Sequence, residues 1–536
     1  MLCALPDEGS GAERTIVVNK KYLNIPISGS EPRHTLHMSV KGLDELAVQV
    51  RIAQGELDYW VYKDMTRYKG KRIVLSYDGP KEALDRVFLA DTTYGQAELY
   101  REALRPQYHY TARRGWINDP NGLVWHNGKY HLYYQHNPYE RDWENMHWGH
   151  AVSADLVHWQ EMDDVLFPDS LGTMFSGSAV FDEQNTSGFG NSNNPPLVFA
   201  YTAAGKYQTQ CIAYSVDSGE SLIKYDNNPV IDSHDRWKSL DTRDPRLFWY
   251  APKGHWVMVL FERDGNSIYT STDLKNWIWR SHVRGFWECP DLFELPVDGD
   301  PSKTMWVMYG ASGTYVLGDF DGYTFTPRSG KQRYCTGTIY ASQTFNNVPD
   351  GRRIQIGWGR IDFPDMPFNG QMLLPTELSL RTTRDGLKLV SFPVREVLSL
   401  LKRQFSSDVE LSLAQANEAL ARFNGCDGLH IRCTIGLSYA LSAGLDLNGQ
   451  HLIDYNASHD MLNGYSYFPQ DPCALELKAD IYIDRSSVEV FAEDGLFSLS
   501  FRRENSEINS GLSFWGGEIS IRQLEIDTVD SIWPQR

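Results

Sequence analysis

A turn-forming heptapeptide recurs along this chain, and its spacing limits the possible folds more than any other feature. Ser153-Ala154-Asp155-Leu156-Val157-His158-Trp159 is echoed by Ser271-Thr272-Asp273-Leu274-Lys275-Asn276-Trp277, with Ser215-Val216-Asp217-Ser218-Gly219 between them. The copies begin at 153, 215 and 271, and Gly318-Asp319-Phe320-Asp321-Gly322 is a degenerate fourth. A four-stranded sheet with its loops takes about 60 residues, so the period predicts propeller blades. Two unrelated β-turns that each end in Trp would not hold so regular a spacing.

A second series is interleaved with the first. Polar, sharply turning segments occur at Asn118-Asp119-Pro120-Asn121, Phe175-Ser176-Gly177-Ser178, Arg243-Asp244-Pro245, Glu288-Cys289-Pro290-Asp291 and Thr338-Ile339-Tyr340-Ala341-Ser342. Five segments predict five blades. If each begins the innermost strand of a blade, all five converge on one axial funnel. The expected class is all-β: a five-bladed β-propeller over 105–365, a connection over 366–395 and a C-terminal β-sandwich over 396–536. The connection is read from Pro364, Pro367 and Pro375 and the strand-like LSLRTTRDGLKLV; the sandwich is read from alternation in segments such as IYIDRSSVEVFAEDG and GEISIRQLEI. Residues 1–100 carry their own strands and predict a small accessory β-rich domain. Only 408–423 tolerates a helix.

Composition removes some functions. A formal net charge of -18 leaves no large basic patch for phosphates, so no nucleic-acid partner is expected. The chain lacks a run of about 18 apolar residues, so no membrane-spanning helix is predicted. The opening MLCALPDEGSGAERT is not an intact secretion signal, and a secreted or periplasmic chain with its signal removed is the expectation. Seven scattered cysteines show no CxxC pair, although Cys426 and Cys433 are close enough in sequence to pair. His126, His131, His136, His147 and His150 lack zinc-ligand spacing and predict structural hydrogen bonds. Neither a metal nor a cofactor is expected.

The chemistry rests on carboxylates. Retaining cleavage of a glycosidic bond uses two carboxyl groups about 5–5.5 Å apart, one as nucleophile and one as acid/base. Asp119, Asp244 and Glu288 each lie in one of the five converging segments, beside a rigid turn element. Asp119-Pro120-Asn121-Gly122 alone reads as an ordinary β-turn; the joint placement of three acids at blade starts does not. Phe286 and Trp287 precede Glu288, so apolar surroundings are expected there.

Trp116-Ile117-Asn118-Asp119-Pro120-Asn121-Gly122, Arg243-Asp244-Pro245 and Glu288-Cys289-Pro290 resemble, in order and spacing, three motifs of glycoside hydrolase family 32. That family contains invertases, inulinases, levanases and fructosyltransferases. Met146-His147-Trp148-Gly149-His150, Phe175-Ser176-Gly177-Ser178 and Ser486-Ser487-Val488-Glu489-Val490-Phe491 extend the resemblance, which covers roughly 105–536. It implies a five-bladed propeller followed by a β-sandwich. It also implies Asp119 as nucleophile on a β-linked fructosyl unit, Glu288 as acid/base, and Asp244 as a partner of the fructose hydroxyls with Arg243 beside it. Sugar contacts are implied for Asn118, Gln135, Trp143, Phe175, Ser176 and Trp358. The first 100 residues depart from the plain family pattern and are similar to extensions on some bacterial fructan-degrading members. The expected partner is a β-fructoside, attacked from its end. A fructosyltransferase, an endo-acting fructanase or a non-catalytic carbohydrate-binding propeller are the alternatives, and the three carboxylates count against the last.

Overall fold

A computed structural model describes residues 11–41, 43–467, 471, 473, 475–504 and 511–533, with the side chains of 43–45 excepted. Cys3 and most of the opening segment lie outside the described residues. The chain is a five-bladed β-propeller followed by a β-sandwich, with a small β domain in front.

Each blade is an antiparallel sheet entered at its innermost strand. Blade 1 runs Gly115–His126, Lys129–Asn137, His147–Ser153 and Gln160–Glu161; blade 2 runs Thr173–Phe181, Leu197–Ala204, Gln208–Ser215 and Ile223–Lys224. Blade 3 runs Thr242–Tyr250, His255–Glu262, Gly265–Ser271 and Ile278–Arg284; blade 4 runs Asp291–Val297, Asp300–Tyr309, Thr314–Phe320 and Phe325–Pro327. The recurring heptapeptide is the turn from third to fourth strand. Asp155 Oδ1 accepts from Ser153 Oγ at 3.0 Å and from His158 N at 2.9 Å, while Trp159 Nε1 donates to Leu156 O at 2.8 Å. The second full copy repeats this: Asp273 Oδ1 accepts from Ser271 Oγ at 3.0 Å and Asn276 N at 2.8 Å, and Trp277 Nε1 donates to Leu274 O. Such an aspartate-closed turn holds buried Leu156 and Leu274 at positive φ, which their side chains would otherwise resist.

Blade 5 corrects one expectation. It comprises Ile339–Thr344, Arg353–Gly359, Thr376–Thr383 and Gly386–Pro393. Most of 366–395, read from its prolines as a connection, is therefore the outer half of a blade. Pro364, Pro367 and Pro375 all precede the hairpin, whose turn is Arg384 and Asp385, so none interrupts its ladder. The ring closes where Phe368–Asn369 pairs in parallel with Gly115 and Trp116. Around the axis, buried Arg246 lies 2.8 Å from Asp291, whose other oxygen accepts from Thr344 N and Oγ1 at 2.9 Å, tying blades 3, 4 and 5.

The sandwich packs one sheet, containing Leu429–Leu437, Glu476–Ile483, Ser487–Ala492, Phe497–Arg502 and Ile519–Val529, onto a second containing Ser442–Leu447, Gln450–Asn456 and Leu512–Gly516. Ile431, Ile481, Val490 and Ile526 of the first meet Leu445, Ile453 and Phe514 of the second in one apolar core. The helix Leu413–Ala421 starts at a capping box in which Ser412 and Gln415 satisfy each other's backbone amides. Cys335–Gly337, between blades 4 and 5, adds a parallel strand to the first sheet beside Phe497–Arg502. Cys433 is a buried free thiol. Fully buried His109, just before blade 1, bridges Asp484 and Glu489 of the sandwich at 2.8 and 2.7 Å.

The N-terminal domain faces a four-stranded sheet (Ala12–Val17, Arg72–Tyr77, His34–Val40, Leu43–Val50) with a three-stranded one (Tyr59–Asp64, Tyr22–Ile27, Phe88–Ala90) around a common core. It docks on the loop after Asn137. Glu140, fully buried, accepts from Arg33 Nε and Arg51 Nη1, each at 2.8 Å, and from Arg51 N at 2.6 Å. Asp142 accepts from the same two guanidinium groups at 2.9 and 2.8 Å.

Candidate active site

The five converging segments meet at one end of the propeller axis, and four of them sit in register defects of the innermost strands. Asn118 and Asp119 together oppose the single residue Gln135, between the pairs Ile117 with His136 and Pro120 with Tyr134. Ser176 is the extra residue between Phe175 and Gly177, Asp244 and Pro245 oppose one residue of the next strand, and Ala341 and Ser342 oppose Gly357. A bulge frees a residue from the ladder and re-aims its side chain, here toward the axis. Glu288, Cys289 and Pro290 lie immediately before the innermost strand of blade 4. Asp244, Cys289 and Ala341 have φ of 63°, 46° and 50°, strain of about 1–3 kcal/mol each that the surrounding sheets sustain.

The side chains form one network. Asp119 Oδ2 accepts from Ser176 Oγ at 2.7 Å and from Cys289 Sγ at 3.4 Å, and Oδ1 accepts from Asn118 Nδ2 at 3.1 Å. Asp244 Oδ2 accepts from the same thiol at 3.4 Å and from Cys289 N at 3.0 Å. Glu288 Oε2 accepts from Arg243 Nε and Nη2 at 3.0 and 2.9 Å, while Tyr340 donates its hydroxyl to Oε1. Arg243 is steadied in turn by Asp241 Oδ1 at 2.6 Å. Around them Trp358 meets Trp116 edge-on at 5.7 Å and lies 6.3 Å from Tyr340, and Trp143 meets Phe175 edge-on at 6.0 Å. Trp143 is half exposed at the rim. Gln135 Nε2 and Trp358 Nε1 are buried and take no hydrogen-bond partner among the described residues. Trp287, expected beside Glu288, is half exposed and lies against the Arg243 guanidinium at 5.4 Å.

Crowding sets the electrostatics. Burial pushes the Asp119 pKa up, Ser176 pulls it back, and the Glu288 charge raises it again, leaving it above its ordinary value. Burial raises Asp244 further, against the pull of Arg243 and with the push of Glu288 and Asp119. Asp119 and Asp244 do not ionise independently of each other. Among them lies a void of about 10 Å³ lined in part by Pro120, Asp244, Cys289 and Ser342.

The structure thus brings the three acids together with Asn118, Phe175, Ser176, Arg243 and Trp358, sets Gln135 opposite the Asp119 bulge, and leaves Trp143 at the edge. Tyr340 and Cys289 were not singled out from the sequence, though both lie in the five segments. The histidines serve structure: His131 bonds His150 at 3.1 Å, and His136 bonds Asp164 at 2.7 Å. Among the described residues no group of three or more His, Cys, Asp or Glu side chains is arranged to hold a metal ion.

Residues 109–393, blades 1 to 5, match the model for the glycosyl hydrolases family 32 N-terminal domain. The chain belongs to glycoside hydrolase family 32. This family 32 enzyme is 36% identical to a levanase of Bacillus subtilis over 84% of this chain and 74% of the relative. It is 31% identical to an extracellular exo-inulinase of Aspergillus niger over 81% of this chain and 96% of the relative. The crystal structure of an exo-inulinase from Aspergillus awamori superposes with a TM-score of 0.72 at 28% identity, covering 81% of this chain and all of that one.

Proposed function

We propose that this family 32 member is a retaining β-fructofuranosidase that releases terminal fructose from fructans, fructo-oligosaccharides or sucrose. The observation that carries the reading is the pairing of two carboxyls in different surroundings at one end of the propeller axis. Asp119 accepts three hydrogen bonds, from Ser176, Asn118 and Cys289, which favour a carboxylate poised as nucleophile. Glu288 is gripped at one oxygen by Arg243 and at the other by Tyr340, which fixes its direction. The Asp119 carboxylate attacks the anomeric carbon while Glu288 gives its proton to the departing oxygen. Glu288 then takes a proton from water, whose oxygen displaces Asp119 and returns fructose with its configuration retained. Asp244 holds fructose hydroxyls and stabilises the oxocarbenium-like transition state. The unpartnered donors of Gln135 and Trp358 complete the sugar's hydrogen bonds, and Trp143 with Phe175 walls the rim.

The exo-inulinase relatives support attack at a chain end, and with the levanase they support a fructan substrate. The extracellular exo-inulinases among them support secretion. Chromatography of products from sucrose, inulin and levan tests the reading. Free fructose is expected from the start of each time course, with equimolar glucose beside it from sucrose; early intermediate-length oligomers from inulin or levan would reject exo attack, and products longer than the substrate would reject hydrolysis in favour of transfer. Tyr340→Phe removes one charge-assisted hydrogen bond to Glu288, worth about 1.5–3 kcal/mol. It should lower kcat/KM by roughly 10- to 100-fold in steady-state assays, with folding intact by circular dichroism.

A further inference from the structure

A cleft of about 620 Å³ separates the N-terminal domain from blade 1. It opens at the catalytic end of that blade. His136 in its wall pairs with Ile117, one residue from the Asn118-Asp119 bulge, and Pro138 and Tyr139 in its wall begin the loop that carries Trp143 to the funnel rim. The volume is within the usual range for a small-ligand site, roughly 300–1,000 Å³.

The lining says what class of ligand fits. It holds five Lys or Arg and four Asp or Glu, so neither an anion nor a cation is favoured by net charge. Tyr62 and the partly exposed Phe167 offer ring surface. The exposed Asp163 carboxylate also lines it, within the field of Arg113 and Lys21. Ring faces beside polar groups of both signs recognise neutral, hydroxyl-rich molecules, whose C–H faces stack and whose hydroxyls donate and accept. The cleft is also held in shape. The buried Glu140, gripped by Arg33 and Arg51 of the N-terminal domain, follows Tyr139 directly, so both walls are locked to one loop.

We infer that this cleft is an accessory sugar site that binds the body of a fructan chain while its terminal unit occupies the funnel. The inference rests on the fructanase reading above. On this view the N-terminal domain, which precedes the matched family region, makes the enzyme prefer long substrates over short ones.

The test compares full-length wild type with Phe167→Ala and Asp163→Ala, two exposed positions outside the funnel. KM for inulin or levan should rise about tenfold in Phe167→Ala and severalfold in Asp163→Ala, with sucrose or a fructosyl trisaccharide cleaved at the wild-type kcat/KM. Affinity electrophoresis in gels containing inulin or levan supplies a readout independent of turnover. Wild type should be retarded, and Phe167→Ala should run faster. Equal losses on long and short substrates, or no change in KM together with unaltered retardation, would overturn the accessory site. Retardation that Phe167→Ala relieves, in a chain that hydrolyses no fructoside, would leave the site standing and overturn the fructanase reading.

Discussion

Asp119→Ala should lower kcat on sucrose or inulin by about 10⁴-fold or more, the scale of losing a covalent nucleophile. Glu288→Ala should cost on the order of 10²–10⁴-fold on the same substrates. The sharper distinction is chemical. With an activated fructoside whose leaving group departs without a proton, Glu288→Ala should still form the fructosyl-enzyme, and added azide should intercept it to give a fructosyl azide of retained configuration. In Asp119→Ala, azide should instead occupy the space of the missing carboxylate and attack directly, giving the inverted azide. Product configuration by NMR separates the roles; the reverse pairing of variant and product would exchange them. Both variants should fold, because each removes a side chain from a bulge or pre-strand turn rather than from the apolar core of a blade.

Alkaline pH should loosen the junction between propeller and sandwich. His109 is fully buried, which by itself disfavours its charged form, but its bonds to Asp484 and Glu489 outweigh burial and raise its pKa to about 9. Its ordinary value is 6.5, so the folded state binds the proton more tightly than the unfolded state. The resulting stabilisation is complete below about pH 6.5 and disappears as pH rises through about 9, amounting to about 3 kcal/mol. His109→Ala at neutral pH should cost about 3–5 kcal/mol, because it strands two carboxylates without a cation. Thermal unfolding by circular dichroism from pH 6 to pH 10 checks both effects. The wild type should lose several degrees more than the variant between pH 7 and pH 9.5; parallel profiles would show that His109 carries no such charge.

The sequence announced the blades because each closing turn repeats one short aspartate-centred hydrogen-bond scheme, which leaves a local mark. The acids were readable for the same reason: Asp119, Asp244 and Glu288 sit in turn-forming tripeptides that ladder strands rarely contain. What could not be read is pairing over distance. His109 finds Asp484 across 375 residues, and Arg33 finds Glu140 across 107. The last two strands of blade 5 were obscured because proline-rich chain separates them from the strand they join. Tyr340 in isolation is an ordinary aromatic of a strand, and only the bulge after it explains its reach to Glu288. Cys289 between Asp119 and Asp244 required the ring of blades to be closed.

The strand that the propeller lends to the sandwich sets a limit on cutting this protein. Cys335–Gly337 covers one edge of the sandwich sheet along Phe497–Arg502, in the middle of the chain that builds the catalytic blades. A fragment ending after blade 5 would leave Cys335–Gly337 without its neighbour, and an isolated sandwich would present a bare strand edge, the kind of surface that recruits other chains into aggregates. The catalytic module and its companion are two shapes but one inseparable piece of chain.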